Sequence, residues 1–446
     1  MNEHYVLTDE AIRSALAPAM NVRAPMDLGA SIRAAIETTP QQRTSFAARL
    51  LAPVARSVRI LALAAVIALL AIVGLLIAIG QRQPTPLNLA VDAPMFRAGP
   101  DRTNVVLGPG PSGQPTILWD KSVGGPISNN MPAIVGGVVY VADGSGGVSI
   151  FRAADGKPGW SEQLPSAINT SPAVAGGLVI VAQADGTIVA LDQATGINRW
   201  TMKTAGMVRS SPAVADGIVY LGDENGFLYA FDLATGKQPW LPYFAGGDIT
   251  RSPAVSGGLV YVGADGGLLS AVDVKTGMQA WRQSLGAGQI PTPSVRDGLV
   301  MVASGADNAD AQHSVFAVDA KTGDKLASWS SPSGQDLYVG AFDKGLVLVE
   351  SLDGFVYAVD VGSGGATLTE RWRFETGGPV GSSNAIAAGV VYIAGGDRTV
   401  YAVSEQAGAK LWEVAVTGQP GAIAVVGDRV YVATDLGRVI AIGNTP

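Results

Sequence analysis

Every tryptophan of this 446-residue chain occurs at a similar place in an internal repeat. The eight are Trp119, Trp160, Trp200, Trp240, Trp281, Trp329, Trp372 and Trp412. They are separated by 41, 40, 40, 41, 48, 43 and 40 residues. A near-constant period of about 40–45 residues, with several short strands in each period, is typical of a β-propeller. The spacing therefore predicts the architecture before it predicts any function.

One repeat is clearest between Ser211 and Trp240. A short strand of small residues comes first, and Ile218–Leu221 is a β-branched and aromatic strand. Asn225-Gly226 forms the next turn, since both central residues of a type I′ hairpin need a positive φ. Phe227–Asp232 is the third strand, and Trp240 lies on the fourth. Each repeat is thus predicted to be one four-stranded antiparallel blade.

The second and third strands recur eight times, but the last copy has no tryptophan after it. Trp119 is left over, because it precedes the first copy. We therefore expect the strand around Thr116–Val123 to pair into the last blade and close an eight-bladed ring, which removes open sheet edges. A seven-bladed ring is the alternative if the irregular unit from Tyr338 to Trp372 is not a blade. The predicted fold class is all-β.

The repeat also carries a family resemblance. The pattern Ala-x-Asp-x-x-Thr-Gly-x-x-x-Trp spans Ala190–Trp200 and reappears at Ala230–Trp240 and Ala271–Trp281. Together with Ser-Pro-Ala-Val, it resembles the tryptophan-docking repeat of the pyrroloquinoline quinone (PQQ)-like propellers. The segment from Met95 to Thr103 is similar to the lead-in of that superfamily. The resemblance covers Phe96 to Ile442 and implies that each tryptophan is a docking residue between neighbouring blades.

The superfamily has two arms, and the resemblance alone does not choose between them. The PQQ-dependent dehydrogenases use a calcium ion, a catalytic Asp and often a disulfide between adjacent cysteines. This chain has no cysteine, and its repeats lack long insertions. It is more similar to the non-enzymatic arm, which includes the lipoprotein of the outer-membrane β-barrel assembly machinery. We therefore predict no catalytic residue, cofactor or metal, with PQQ and Ca²⁺ belonging to the alternative, enzymatic interpretation.

Charge and hydropathy limit the partners. Charged residues make up 15% of the chain and the net charge is −7, so there is no basic footprint for nucleic acid.

The uncharged run from Ile60 to Gly80 would span about 31 Å as a helix, which matches a bilayer core. Four arginines precede the run, at Arg43, Arg49, Arg56 and Arg59, so the positive-inside rule places the N-terminus in the cytoplasm. A cleaved signal peptide is the alternative.

The sequence thus predicts four segments. They are a cytoplasmic segment 1–57, a transmembrane helix 58–80, a linker 81–94 and an extracytoplasmic propeller 95–446. The start of a helix is predicted at residues 8–12 in the first segment, and a second short amphipathic stretch at residues 27–36. A helical stretch before one membrane span resembles bacterial membrane-anchored anti-sigma regulators, although the zinc-binding His and Cys residues of many of those are absent. A disordered or membrane-lying tail is the alternative.

A ligand or partner site is predicted at one mouth of the central channel, just before the innermost strands. The candidate contacts are Asn129, Asn169, Arg209, Arg251 and Tyr338. Their guanidinium, amide and hydroxyl groups could hold an anionic group by charge-assisted hydrogen bonds. Solvated loop residues, or pairing with Asp248, are the alternatives.

A second possible site is a loop of the fifth unit that contains Asp307, Asn308 and Asp310. Such oxygen ligands suit Ca²⁺, but the glycine and distal glutamate of an EF-hand loop are missing, so a surface loop is favoured. With His4 and His313 as the only histidines, no Ser-His-Asp arrangement can be argued.

These features predict a membrane-anchored propeller that binds another protein at the cell envelope. Two alternatives remain: a quinone-dependent dehydrogenase, and a ligand-sensing propeller that signals through residues 1–57.

Overall fold

A computed structural model describes residues 92–127, 130–304, 313–381 and 383–445. These residues form eight sheets of four antiparallel strands each, and Val105–Val106 adds a fifth, parallel strand beside Ala385–Ala387 to one of them. Except in the sheet that includes Thr116–Ser122, the four strands follow one another in the chain from the innermost to the outermost. We number the sheets as blades 1 to 8 by the chain order of their inner strands. The eight-bladed, all-β propeller predicted from the repeats is confirmed.

The inner strands begin each blade. They are Ala133–Val135, Ala173–Ala175, Ala213–Ala215, Ala254–Ser256, Ser294–Arg296, Leu337–Asp343, Ala385–Ala387 and Pro420–Val426. The second strands are Val138–Ala142, Leu178–Ala182, Ile218–Gly222, Leu259–Ala264, Leu299–Ser304, Leu346–Ser351, Val390–Ala394 and Arg429–Thr434. The third strands are Gly147–Arg152, Thr187–Asp192, Phe227–Asp232, Leu268–Asp273, Ser314–Asp319, Phe355–Val361, Thr399–Ser404 and Arg438–Gly443. The outer strands of blades 1 to 7 are Pro158–Gln163, Asn198–Lys203, Tyr243–Phe244, Gln279–Ser284, Lys325–Trp329, Leu368–Glu375 and Lys410–Ala415.

The outer strand of blade 8 comes from the other end of the propeller sequence. Thr116–Ser122 pairs antiparallel with Arg438–Gly443, and Trp119 lies opposite Ala441. An ion pair between Arg438 and Asp120, with Nε and Oδ1 2.8 Å apart, crosses the same closure. The ring is therefore closed by both chain ends, as the leftover tryptophan predicted. The irregular unit is a complete blade, blade 6, so the seven-bladed alternative is wrong.

The second and third strands bury both faces because each blade packs between two others. Leu178–Ala182 reads Leu-Val-Ile-Val-Ala, and its last four residues are buried. β-Branched residues suit this position, since they fit a pleated surface and lose little rotamer freedom there. The core is consequently a ring of separate clusters between blades, such as those between blades 2 and 3 and between blades 3 and 4. The largest cluster joins blades 7, 8 and 1.

Tryptophans link neighbouring blades. Trp240 of blade 3 donates from Nε1 to the carbonyl of Val274 in blade 4, at 3.1 Å. The indole lies against Gly277, where an added Cβ would come within 2.6 Å of the ring. Six indoles donate such a bond to the next blade, namely those of Trp119, Trp160, Trp200, Trp240, Trp281 and Trp372. Trp412 donates instead to the carbonyl of Pro111, in the segment that leads to the outer strand of blade 8.

Trp329 differs from the other seven. It pairs with Val315, and Ala327 takes the place opposite Ala317 that the other blades give to tryptophan. The reason is visible in the sequence, where five residues separate Gly323 from Trp329 instead of three. Its ring packs 5.2 Å from the ring of Tyr357 in blade 6. Trp329 thus still contacts the next blade, but without the repeated hydrogen bond.

The structure contradicts the predicted transmembrane helix and the membrane localisation that was based on it. Among the described residues, no helix is long and apolar enough to cross a membrane. Their one helical element is the three-residue 3₁₀ turn Ser363–Gly365, whereas a spanning helix needs about 20 residues. The prediction of a single-pass inner-membrane protein is therefore wrong. Ile60–Gly80, the predicted helix start at 8–12, the amphipathic stretch at 27–36 and most of the linker lie outside the described residues.

Candidate binding site at the channel mouth

The residues from Ala93 to Val106, here called the crossing segment, run across the central channel before the first blade begins. Ala93 exchanges two backbone hydrogen bonds with Ile134 of blade 1. Later carbonyls of the segment accept from the inner strands of blades 2, 4, 5, 6 and 7: Pro94 from Val174, Pro100 from Val255, Asp101 from Val295, Thr103 from Phe342 and Asn104 from Ile386. The segment thus ties together blades that are distant in sequence.

Side chains of the crossing segment reach the remaining two blades. Arg102 donates from Nη2 to the carbonyls of Ser211 and Pro212 in blade 3, both at 3.0 Å. The Nδ2 of Asn104 donates to the carbonyl of Ile423 in blade 8 at 3.4 Å. Arg102 is fully buried, and its guanidinium donates to four backbone carbonyls, those of Phe96, Ser211, Pro212 and Pro253. The planar guanidinium, with five N–H donors, suits this position.

A cavity of about 760 Å³ lies on one side of the crossing segment, at the end of the channel where the inner strands begin. We call this end the channel mouth. Phe96 and Arg97 of the crossing segment line the cavity, together with residues from the starts of the inner strands and from the turns after the second strands. The volume is within the range of small-molecule sites. The cavity is therefore a cup formed by the ring and the crossing segment.

Four of the five predicted mouth residues line this one cavity: Asn169, Arg209, Arg251 and Tyr338. The fifth, Asn129, lies outside the described residues, whereas the neighbouring Asn130 lines the cavity. The structure therefore brings together side chains from blades 2, 3, 4 and 6. Their role as ligand or partner contacts stays a prediction.

The two predicted cations have different surroundings. Arg209 forms an ion pair with Glu224, and its side chain is 63% exposed. Arg251 has no carboxylate at ion-pair distance among the described residues, so the alternative of pairing with Asp248 is not what the structure contains. Its guanidinium carbon lies 5.8 Å from the ring centre of Tyr338, a cation–π arrangement. Arg251 is thus the more available cation of the two.

Two buried charges in the cavity were missed by sequence reasoning. They are Arg97, 4% exposed, and Glu350, 1% exposed. Burial lowers the pKa of Arg97 to about 10, Glu350 acts to raise it, and Arg251 lowers it further. Burial raises the pKa of Glu350 to about 7, against the opposing effects of Arg97 and the Asn384 amide. Both groups are thus placed where an ionised form is costly without a partner.

Carboxyl groups also gather at the rim of the cavity. Burial raises the pKa of Asp265, a hydrogen bond from Gln289 lowers it, and the nearby Asp248 raises it again. The cavity therefore carries both signs of charge.

The site was tested against the cofactors of the enzymatic arm. The aromatic side chains that line the cavity are Phe96 and Tyr338, and the tryptophans are docked between blades instead. Within the described ranges, no three His, Cys, Asp or Glu side chains are placed to hold one metal ion. A disulfide is impossible in a chain without cysteine. This donor set does not fit the calcium and quinone site implied by the resemblance.

The predicted Ca²⁺ ligands Asp307, Asn308 and Asp310 lie outside the described residues.

A family model described as outer membrane protein assembly factor BamB matches residues 111–247, 244–364 and 311–445. These matches cover nearly the whole ring. The chain belongs to this family. The membership confirms the resemblance to PQQ-like propellers, a group that includes both non-enzymatic members and dehydrogenases. No curated protein matches the chain.

Solved structures share the fold at low identity. BamB from Moraxella catarrhalis is 20% identical, with a TM-score of 0.60, and the match covers 74% of this chain and 99% of that one. The computationally designed Ika8 protein is 16% identical, with a TM-score of 0.64 over 74% and 99%. Quinohemoprotein alcohol dehydrogenase from Comamonas testosteroni is 16% identical, with a TM-score of 0.66 over 81% and 82%. At these identities the likeness concerns the fold alone.

Proposed function

We propose that this protein is a non-enzymatic module that binds another protein of the cell envelope through the channel-mouth face of its propeller. The observation that carries the proposal is the composition of the cavity rim. Arg209, Arg251 and Tyr338 line the cavity, and the carbonyl of Met207 accepts a hydrogen bond from the backbone of the lining residue Glu224. Arginine, tyrosine and methionine are enriched in protein interfaces. Met207 is 53% exposed on the loop that leads to Arg209.

Family membership supports the same proposal, since the family description names an assembly factor. In the part of the ring that the structure describes, the strands of each blade are joined by short turns without an inserted domain, which leaves the faces of the ring open to a large partner. The donor set of the cavity, which does not fit a calcium and quinone site, favours binding over quinone chemistry. Protein interfaces need about 800 Å² from each partner, an area that a propeller face can supply.

Two exposed methionines allow a matched test. Met207 lies on the mouth side, whereas Met278 is 70% exposed in the turn between the third and outer strands of blade 4. Because antiparallel strands alternate in direction, that turn lies on the opposite face of the ring. The full chain is used as bait in an envelope extract, as wild type, Met207→Asp and Met278→Asp.

The proposal predicts a partner that wild type and Met278→Asp recover equally and that Met207→Asp recovers at least tenfold less. Both variants keep the thermal midpoint of wild type, since both changes are on the surface. Equal recovery by all three proteins, or loss with Met278→Asp alone, would contradict the proposed face. Reduction of a dye after reconstitution with PQQ and Ca²⁺ would favour the dehydrogenase alternative instead.

A further inference from the structure

Glu350 breaks the internal repeat at a buried position. It is the fifth residue of the second strand of blade 6. The fifth residue of the second strand is alanine or glycine in every other blade: Ala142, Ala182, Gly222, Gly263, Ala303, Ala394 and Ala433. A small residue suits the narrow space beside the channel. A glutamate in one blade of eight is therefore unnecessary for building a blade.

The neighbouring strand makes room for this carboxyl. A Cβ added to Gly340 would come within 2.3 Å of Asn384 Oδ1 and 2.7 Å of Glu350 Oε1. Five other blades have proline at the position of Gly340: Pro132, Pro172, Pro212, Pro253 and Pro293. Asn384 donates its backbone N–H to Glu350 Oε1 at 2.7 Å. Blade 6 thus departs from the repeat twice, and both departures serve to hold Glu350 at the cavity.

Arg97 is held opposite this carboxyl. Its Nε donates to Ser383 Oγ at 2.7 Å, and its Nη1 donates to the carbonyl of Thr292 at 3.3 Å. Within the described part of the chain, Nη2 has no hydrogen-bond partner, and the guanidinium does not form an ion pair with Glu350. Both side chains line the cavity. Two buried opposite charges therefore share one space without contacting each other.

Arg97 Nη2 and the second oxygen of Glu350 have no hydrogen-bond partner among the described residues, and both side chains face the cavity. A buried charged group that lacks a partner loses its hydration without compensation. Arg97 offers free N–H donors, and Arg251 at the rim is a second cation close enough to affect Arg97. Glu350 offers a carboxylate oxygen. A ligand that carries an acceptor for the arginines and a donor for the glutamate would satisfy both groups at once.

The charge balance narrows the class of ligand. The cavity is lined by Arg97, Arg209 and Arg251, but also by the four carboxyl groups of Glu224, Asp248, Asp265 and Glu350. A nucleotide or a phosphate ester would bring several negative charges close to these acids. A single carboxylate next to an N–H group brings one negative charge and its own donor. Guanidinium and carboxylate also match in their planar, two-point geometry.

We propose that the mouth cavity binds an α-carboxylate group with an adjacent N–H donor, the carboxylate at Arg97 and Arg251 and the donor at Glu350. This chemistry has two sources, a free amino acid and the carboxyl terminus of a polypeptide. The second source rests on the proposed protein-binding function, whereas the first does not. Defined probes separate failure of this inference from failure to find a partner.

The test is titration calorimetry on the full chain with three probes. They are L-alanine, acetyl-trialanine with a free carboxyl terminus, and the same peptide with a terminal amide. The variants are Glu350→Gln, which keeps an acceptor for the Asn384 amide, and Arg251→Gln, which changes an exposed residue. Arg199→Gln is the matched control, because Arg199 pairs with Asp192 at a turn away from the mouth.

The inference predicts that a probe with a free carboxylate binds at least tenfold more tightly than the amide. Glu350→Gln and Arg251→Gln each weaken that binding at least tenfold, and Arg199→Gln changes it less than twofold. Tighter binding of alanine identifies a free amino acid as the source, and tighter binding of the peptide acid identifies a polypeptide terminus. Absence of binding by both acids, equal binding of acid and amide, or unchanged binding by Glu350→Gln would overturn the inference.

Discussion

Glu350 shows how one residue can depart from a repeat that otherwise dictates structure. Its strand follows the pattern of the other second strands, and Val347 and Val349 are buried as the repeat requires. The carboxyl itself is surrounded by protein on the side of Asn384 and by the cavity on the other. The residues that the repeats share predict the blades, and Glu350 is not one of them, so the repeat pattern alone does not reveal it. Comparing the repeats position by position would have found it.

The raised pKa of Glu350 predicts a pH dependence of stability. The folded protein binds this proton with a pKa of about 7, and an unfolded glutamate has a pKa of 4.5. The folded state therefore loses stability as pH rises from about 4.5 through 7, by roughly 3 kcal/mol for this group. Below pH 4.5 the contribution is fully present.

The Glu350→Gln variant isolates this contribution, since other titrating groups cancel in the comparison with wild type. Urea unfolding at pH 4.5 and pH 8 should show the variant gaining roughly 3 kcal/mol relative to wild type at the higher pH. A difference between the two proteins that does not change with pH would show that the carboxyl titrates normally.

At the scale of elements, the Thr-Gly turn and the tryptophan of the preceding blade form one joint. Gly277 has a φ of +69°, and Trp240 ring atoms would lie 2.6 Å from an added Cβ. Gly298 has a φ of +78°, but an added Cβ there would meet nothing within 4 Å. A side chain at Gly298 would therefore introduce backbone strain alone, whereas one at Gly277 would also displace the Trp240 indole.

Alanine substitutions at the two glycines should differ in cost. Gly298→Ala introduces only left-handed strain, about 1–2 kcal/mol. Gly277→Ala adds displacement of the indole and should cost about 3 kcal/mol in total, within the range of overpacked sites. Chemical unfolding measures both. Equal losses would mean that the indole does not need this glycine.

The strands and blades could be predicted from the sequence, but the path of the crossing segment could not. The period, the Asn225-Gly226 turn and the leftover Trp119 predicted eight four-stranded blades and their closure. The turn type was wrong, because Gly226 has a positive φ and Asn225 does not. The path of Ala93 to Val106 was not predictable in this way, because its hydrogen bonds go to inner strands that are up to 319 residues distant in the chain, as from Asn104 to Ile423. Arg97, Ala98, Arg102 and Asn104 also adopt a positive φ, which local sequence preference disfavours.

At the scale of the whole molecule, both ends of the propeller meet in blade 8. Ser122 lies opposite Arg438, and the chain has no cysteine that could interfere with an engineered pair. Oxidation of Ser122→Cys with Arg438→Cys should form an intramolecular disulfide. Chain entropy predicts about 5 kcal/mol of stabilisation for so long a loop, less any strain. The reduced protein is the control, because both forms lack the Arg438–Asp120 ion pair.

The arrangement of the whole ring also determines where the proposed binding site lies. The ring places side chains from four predicted positions around one cavity, and the crossing segment lines that cavity from within the channel. Sequence reasoning identified the mouth because the loops before the inner strands recur in register. It could not identify which mouth residues are free, since the pairing of Arg209 with Glu224 depends on the fold.

Hydrogen exchange of the full chain, with and without the partner recovered by the wild-type bait, tests the central claim that the channel mouth is the binding face. The account predicts slower amide exchange on binding in the mouth loops at residues 205–211 and 247–252. It predicts no change at the Thr-Gly turns on the opposite face, including the turn at Gly277. Protection of those turns, with unchanged exchange at the mouth, would contradict it.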